Sequence, residues 1–321
     1  MEKFNLGTIK HDNYLAVINC FLNHDGKLFR LDIADETDLS RMTVGKIVDN
    51  LISDNIIVQT KENKSRAGRK SGLLSLNTNK FCYAADLTGK NFILYAIEIN
   101  FSLLHTNTYR YKNTLTFEDN LRLFIKSINF TQDCFGINFI VKDNVIFDET
   151  LALIKNDLII DNVTWRSYSD AVISSVKNTG GDTVYISISK NTAATFLIIN
   201  GSHYKGFSNQ AGNISDMLLN GKKFSALLKQ AKYKEPDNYT ELIASAVYNM
   251  IQIINPGQII INSEKSISEN DINNHLDNKL HMNSSSMPKI KIYNAALKDH
   301  CAGAAEILRR QWFENKIKKF L

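Results

Sequence analysis

Two stretches of the chain repeat one order of segments, and that repetition restricts the fold more than any other feature. In the first, Tyr83-Ala84-Ala85-Asp86 ends a strand in the turn Leu87-Thr88-Gly89. Residues 92–99 alternate as a second strand, 103–109 read as a third, 117–128 have helical spacing and 135–141 form another strand. The second set begins with strands at 183–188 and 194–199, joined onward through the hairpin signal Asn200-Gly201. An amphipathic helix over 239–254 stops at Asn255-Pro256-Gly257 and leads into the apolar strand 258–262. A helix over 295–312 closes the pattern. Strands followed by a helix, twice over, predict a duplicated α/β domain of two lobes.

Residues 11–77 follow a different logic. Residues 11–23 carry Tyr14, Leu15, Val17, Ile18, Phe21 and Leu22 at helical spacing. After the turn Asp25-Gly26, a short helix covers 31–37, and Asp38-Leu39 makes a tight turn. Ser40 can cap a third helix that runs to about Asp54 with Val44, Ile47, Val48 and Leu51 inward. Strands at 56–59 and 73–76 enclose residues 61–70, which hold Lys61, Lys64, Arg66, Arg69 and Lys70 against one acidic residue, Glu62. The pattern predicts a helix-turn-helix with a basic wing. Ala34 fills the crossing of its two helices, and Asp38 takes the turn position where a positive φ is needed. The outer face of the third helix then presents Ser40, Arg41, Met42, Gly45, Lys46 and Asp49. Arg41 and Lys46 suit guanine edges or phosphates, and Ser40 a base or phosphate. Arg66, Arg69 and Lys70 suit contacts in or beside a minor groove. The plainer reading is a helical bundle with a solvated charged loop, and Asp32, Asp35, Glu36 and Asp38 would repel phosphates from the preceding helix.

Composition narrows the class without choosing within it. A chain of 321 residues suits two or three domains. At 44% hydrophobic and 22% charged residues it is globular, not disordered. No apolar run approaches the roughly 20 residues of a membrane span, and the first residues lack a signal peptide's apolar stretch, so a cytoplasmic location is expected. The net charge of +5 permits a nucleic-acid partner without requiring one. Cys20, Cys82, Cys134 and Cys301 form no close pair, which argues for scattered buried thiols and against zinc.

Gly68-Arg69-Lys70-Ser71-Gly72-Leu73-Leu74-Ser75-Leu76-Asn77, with the helical segment before it, resembles the regulators of the ROK family (repressors, open reading frames and sugar kinases). There a winged helix-turn-helix precedes Gly-Arg-Arg-Pro-x-Leu-Leu-x-Leu-Asn and an actin-like sugar-kinase domain. Asp86-Leu87-Thr88-Gly89 resembles the family's first phosphate-loop strand, and residues 198–206 its hairpin before the sugar site. Ala211-Gly212-Asn213-Ile214-Ser215-Asp216-Met217 lies where the family has Ala-Gly-Glu-Ile-Gly-His-Met. Residues 253–261 match its Asn-Pro strand, and Ala302-Gly303-Ala304-Ala305 its last helix. The resemblance implies an α/β fold: a winged helix-turn-helix over 1–78, then a two-lobed actin-like, ribonuclease-H-like domain over 79–321. Its lobes would be about 79–180 with the C-terminal helix, and 181–295.

The departures bear on activity. Residues 165–172 match the family's Glu-Asn-Asp-Ala-Asn-Ala-Ala, with Tyr168 standing where the catalytic aspartate is expected and Asp170 two residues on. Residues 189–196 replace the family's glycine-rich phosphate cradle and contain no glycine. After Met217 the chain reads Leu-Leu-Asn-Gly-Lys-Lys-Phe in place of the zinc motif, and Asp216 stands for its histidine. No cofactor, no metal and no catalytic residue are therefore expected. Asn213 replaces a glutamate that accepts from sugar hydroxyls; with Asp216 and Asn209 it remains a candidate ligand-binding group, surface loop residues being the equal alternative. The expectation is a repressor that binds double-stranded operator DNA as a homodimer or tetramer, away from membranes, and answers to a sugar or sugar phosphate. Two alternatives stay open: an active sugar kinase with an accessory DNA-binding domain, and a regulator whose C-terminal domain only dimerises.

Overall fold

A computed structural model describes the chain apart from residues 1–5, 25–26, 61–71, 143–144, 176–180, 189–192, 209–210, 232–235, 264, 281–286 and 294–298. It divides into two compact units, one of residues 1–171 with 301–321 and the other of residues 172–300.

The first unit starts with helices α1 (Leu6–Asn23), α2 (Arg30–Thr37) and α3 (Arg41–Ser53) and strands β1 (Ile57–Thr60) and β2 (Leu73–Leu76). Tyr14, Val17, Ile18 and Phe21 turn one stripe of α1 onto Ile33 and Ala34 of α2 and Val44, Ile47, Val48 and Leu51 of α3, all buried. The helix boundaries are set locally. Ser40 Oγ accepts from Thr43 N at 3.1 Å, capping α3. Asp38 closes α2 at φ 56°, the left-handed conformation expected of the turn. α1 begins five residues earlier than the sequence pattern suggests. β1 and β2 are antiparallel, Ile57 opposite Leu76 and Thr60 opposite Leu73, and Leu28 bridges to Leu74 as a further edge.

A five-stranded sheet follows, built from β3 (Phe81–Asp86), β4 (Phe92–Glu98), β5 (Leu103–Tyr109), β6 (Cys134–Val141) and β7 (Val163–Ser167) in the order β5-β4-β3-β6-β7. The first three strands form an antiparallel meander, and β6 and β7 add in parallel. Helices α4 (Phe117–Lys126) and α5 (Asp148–Ile154) make the crossovers, and α6 (Tyr168–Ser175) carries the chain into the second unit. Tyr83, Phe92, Phe124, Ile137, Phe139 and Phe147 fill one face's core.

In the second unit β8 (Thr183–Ile188), β9 (Ala193–Ile199) and β10 (Ser202–Tyr204) form the meander; a small ribbon, β11 (Leu218–Leu219) and β12 (Lys222–Lys223), stands apart from the sheet. Helices α7 (Phe224–Ala231) and α8 (Pro236–Ile254) lead to β13 (Gln258–Ser263); α9 (Glu269–Leu280) leads to β14 (Lys289–Tyr293). The order β10-β9-β8-β13-β14 repeats the first sheet strand for strand, so the duplication read from the sequence is a duplication of topology. β7 and β14, the fifth strand of each sheet, are additions to that reading. Helix α10 (Asp299–Lys318) closes the chain, ending six residues later than expected because Phe313 and Ile317 continue its buried stripe past Trp312; the start expected at 295 lies outside the described residues.

Candidate nucleic-acid interface and effector loop

The outer face of α3 assembles from its first three turns. Arg41, Met42, Lys46 and Asp49 are exposed, Met42 at 84%. Ser40 sets the helix start: its oxygen accepts from Thr43 N and lies 2.9 Å from Thr43 Oγ1. Gly45 is half-buried, and a Cβ there would lie 3.8 Å from Arg30 Nη1. That guanidinium reaches across from the first residue of α2. Its Nη1 donates to Gly45 O at 3.1 Å and its Nη2 to Asp49 Oδ1 at 2.7 Å. Arg66, Arg69 and Lys70 lie outside the described residues, between β1 and β2.

The acid on α2 is partly absorbed by local bonds. Asp32 accepts from Phe29 N at 2.7 Å and caps its own helix, and Glu36 lies 2.8 Å from His24 Nε2. Burial, then the charge of Glu36, pushes the Cys20 thiol up to about 11, so this cysteine is a packing residue. Cys82, Cys134 and Cys301 are buried as well, and none of the four cysteines forms a disulfide.

In the second unit the effector candidates sit on the loop before β11. Asn213 and Asp216 are exposed and bonded to each other, Asn213 Nδ2 donating to Asp216 Oδ2 at 3.1 Å. Lys223 Nζ takes the other oxygen at 2.7 Å and, with Asn213, holds the Asp216 carboxyl below its ordinary pKa. Ser215 anchors the loop: its Oγ accepts from Ala193 N at 3.2 Å and donates to Ala193 O at 2.5 Å. Gly212, at φ 79°, lets the loop pass close to Thr195 and Leu197. Asn209 lies outside the described residues.

Several of the positions that depart from the family's kinase motifs are described. β8 and β9 pair from Ile188 opposite Ala193, so only residues 189–192 connect them, and Ala193–Phe196, read as part of a lost phosphate cradle, are strand. Residues 189–192 themselves lie outside the described set. Asn220-Gly221, at φ 51° and 74°, turns β11 onto β12 in the segment that stands in place of the zinc motif. Asp86 Oδ1 accepts from Thr88 N at 2.9 Å and Thr88 Oγ1 at 2.6 Å. Tyr168 opens α6, and Asp170 lies in its first turn, accepting from Ser167 Oγ at 2.9 Å. Among the described residues no three His, Cys, Asp or Glu side chains gather as a metal site, and no helix is long and apolar enough to cross a membrane.

No protein-family profile and no curated protein sequence matches the chain. Solved structures do. A ROK family transcriptional regulator, described as a homologue of the E. coli MLC protein, superposes with a TM-score of 0.63 at 13% identity, over 97% of this chain and 98% of its own. A ROK family protein from Streptococcus pneumoniae TIGR4, solved with sucrose, gives 0.56 at 15% identity, over 72% of this chain and 98% of its own. A provisionally assigned sugar kinase from Cytophaga hutchinsonii gives 0.54 at 9% identity, over 71% of this chain and 99% of its own. The chain therefore has the mixed α/β fold shared by ROK regulators and sugar kinases.

Proposed function

We propose that the chain is a sequence-specific DNA-binding transcriptional regulator of the ROK type, a repressor acting as a homodimer or tetramer. The observation that carries this is the outer face of α3. It is a capped helix, held by α2 and a two-stranded ribbon, that leaves Arg41, Met42 and Lys46 exposed on one stripe. Such a winged helix-turn-helix places its second helix in the major groove. The reach of the match supports the reading: the regulator structure accounts for nearly the whole chain, whereas the provisionally assigned kinase leaves more than a quarter of it unmatched. Arg41 and Lys46 read bases, and Arg66, Arg69 and Lys70 add affinity through phosphates. The C-terminal domain dimerises the protein and senses a sugar or sugar phosphate, with Asn213, Asp216 and Asn209 as its ligand groups. Asn213 and Asp216 bond each other, and a hydroxyl would use the lone pairs and the second Asn213 amide hydrogen that this pair leaves over. A ligand that prefers one conformation shifts the spacing of the recognition helices in the dimer away from half-sites about 34–36 Å apart.

The test is binding as a function of salt. Removing the charges of Arg69 and Lys70 should lower the slope of log affinity against log salt by about 0.9 per lost phosphate contact. Arg41→Ala should change base preference, with about 1–3 kcal/mol at stake. A wing variant that binds as wild type at physiological salt, together with an Arg41 variant of unchanged specificity, overturns the reading.

One observation favours a second reading, an active sugar kinase. Matched on its Asp-Ala pair, the family's Glu-Asn-Asp-Ala falls on Tyr168-Ser169-Asp170-Ala171, and Asp170 then takes the place assigned above to Tyr168. ADP release with a panel of hexoses and amino sugars, lost in Asp170→Asn, would establish it.

A further inference from the structure

Asp49 is an acid on the outer face of α3, the face that the DNA-binding reading brings against the duplex. With Met42, Gly45 and Lys46 it completes a stripe at the i, i+3, i+4, i+7 spacing of one helix face. Its side chain is 68% exposed, and only one of its oxygens is engaged, by Arg30 at 2.7 Å; the other has no hydrogen-bond partner among the described residues. A carboxylate on such a face weakens binding to every DNA sequence alike, so its presence there needs a sequence that rewards it.

The chemistry of the groove names that sequence. A carboxylate only accepts hydrogen bonds. Among major-groove edges, cytosine offers the N4 amino donor with no acceptor beside it on the same base. Adenine sets the acceptor N7 next to its N6 amino group, and guanine and thymine present acceptors. We propose that Asp49 reads a cytosine in each operator half-site and that Arg30 positions it for this. The proposal rests on the DNA-binding reading of α3.

Arg30 is suited to the positioning role. Its bond to Gly45 O ties the guanidinium to the helix backbone, and its bond to Asp49 Oδ1 fixes the carboxylate and offsets its charge near phosphates. Gly45 lies between Met42 and Asp49 without a side chain, and Arg30 packs where one would point. Asp49 stands seven residues beyond Met42, about 10 Å along the helix axis at the usual rise. That is about three base-pair steps of 3.4 Å, so the cytosine falls about three pairs from the base that Met42 meets.

The experiment is selection from a pool of duplexes with a randomised core, using the full chain and its Asp49→Ala, Asp49→Asn, Arg30→Ala and Arg30→Lys variants, each checked for a wild-type melting transition. Wild type should enrich cytosine at one position per half-site by about tenfold or more over the other bases. Asp49→Ala should level that position alone and raise affinity for unrelated duplexes. Asp49→Asn should move the preference to adenine, whose N6 and N7 suit an amide. Arg30→Ala should broaden the same position, and Arg30→Lys should restore part of it. An enriched motif identical in wild type and Asp49→Ala overturns the proposal while leaving DNA binding intact. Wild type that enriches no motif overturns the regulator reading itself.

Discussion

Asn120 shows how much one side chain can hold. It has no exposed surface; its amide donates to Lys112 O at 3.0 Å and Thr116 O at 2.9 Å, and its oxygen accepts Lys112 N at 2.8 Å. It thus closes the loop between β5 and α4 by bonds to that loop's own backbone. Asn120→Ala strips partners from several buried groups, each costing about 1–3 kcal/mol when left unpaired. Urea unfolding should show a loss of about 3 kcal/mol or more, with an unchanged m-value if the unfolded state is unaffected. His11 gives a pH-dependent case. Its Nε2 lies 2.7 Å from Glu314 Oε2, and that bond holds the imidazole above its ordinary pKa, with Asp12 adding to the shift. A raised folded pKa means stabilisation that is complete below about pH 6.5 and lost as pH rises through the folded value. Melting temperatures at pH 6 and pH 8 should therefore differ less in Glu314→Gln than in wild type. Neither residue was visible as special in the sequence. Ala34, Asp38 and Val44 were, because helix spacing and turn chemistry reveal their roles locally. The bond partner of His11 lies 303 residues away, and the partner of Asp49 sits on another helix.

At the scale of elements, α10 is the piece the sequence described least well. Its stripe continues past Trp312, whose ring stacks on Phe135 of β6 at 5.0 Å. Arg309 donates to Ile99 O at 3.0 Å and lies 3.9 Å from the centroid of Phe101, which sits at φ 71° in the turn between β4 and β5. Beyond the sheet, Lys316 pairs with Asp54 at 2.7 Å and Phe320 stacks on Tyr14 at 5.3 Å, so the end of α10 braces the three-helix segment. Phe320→Ala together with Lys316→Ala should lower the melting temperature and increase amide exchange in α1 and α3 while leaving β8 and β13 protected. Hydrogen exchange measured by mass spectrometry checks this. The Asn200-Gly201 hairpin, by contrast, was legible and adopts φ 52° and 73°. Asn220-Gly221 makes the same turn, but its flanking strands have two residues each, too few to alternate. β7 escaped notice because Val-Thr-Trp-Arg-Ser has no buried and exposed rhythm.

For the molecule as a whole, the two units differ in continuity. Residues 172–300 are one unbroken stretch, while the first unit needs 1–171 and 301–321 together. A fragment of residues 172–300 should unfold cooperatively on its own. A fragment of residues 1–171 should lack the buried contacts of Leu308, Phe313 and Ile317 and melt lower, and a peptide of residues 299–321 should recover part of the loss. Calorimetry of the two fragments tests both statements. The duplicated sheet order was open to inference because strand and helix periodicities repeat along the chain; the discontinuity came only as an implication of the family resemblance, since nothing local marks a last helix as belonging to the first sheet.

The stacking of Phe320 on Tyr14 also sets a timetable. A ribosome adding about 5–20 residues per second makes the second ring some 15–60 seconds after the first. Throughout that interval the nascent three-helix segment lacks its brace, and all of the second unit is made before the brace arrives. Maturation of the three-helix segment is therefore tied to the synthesis of α10, and a chain cut short anywhere in α10 leaves α3 on an unfinished support.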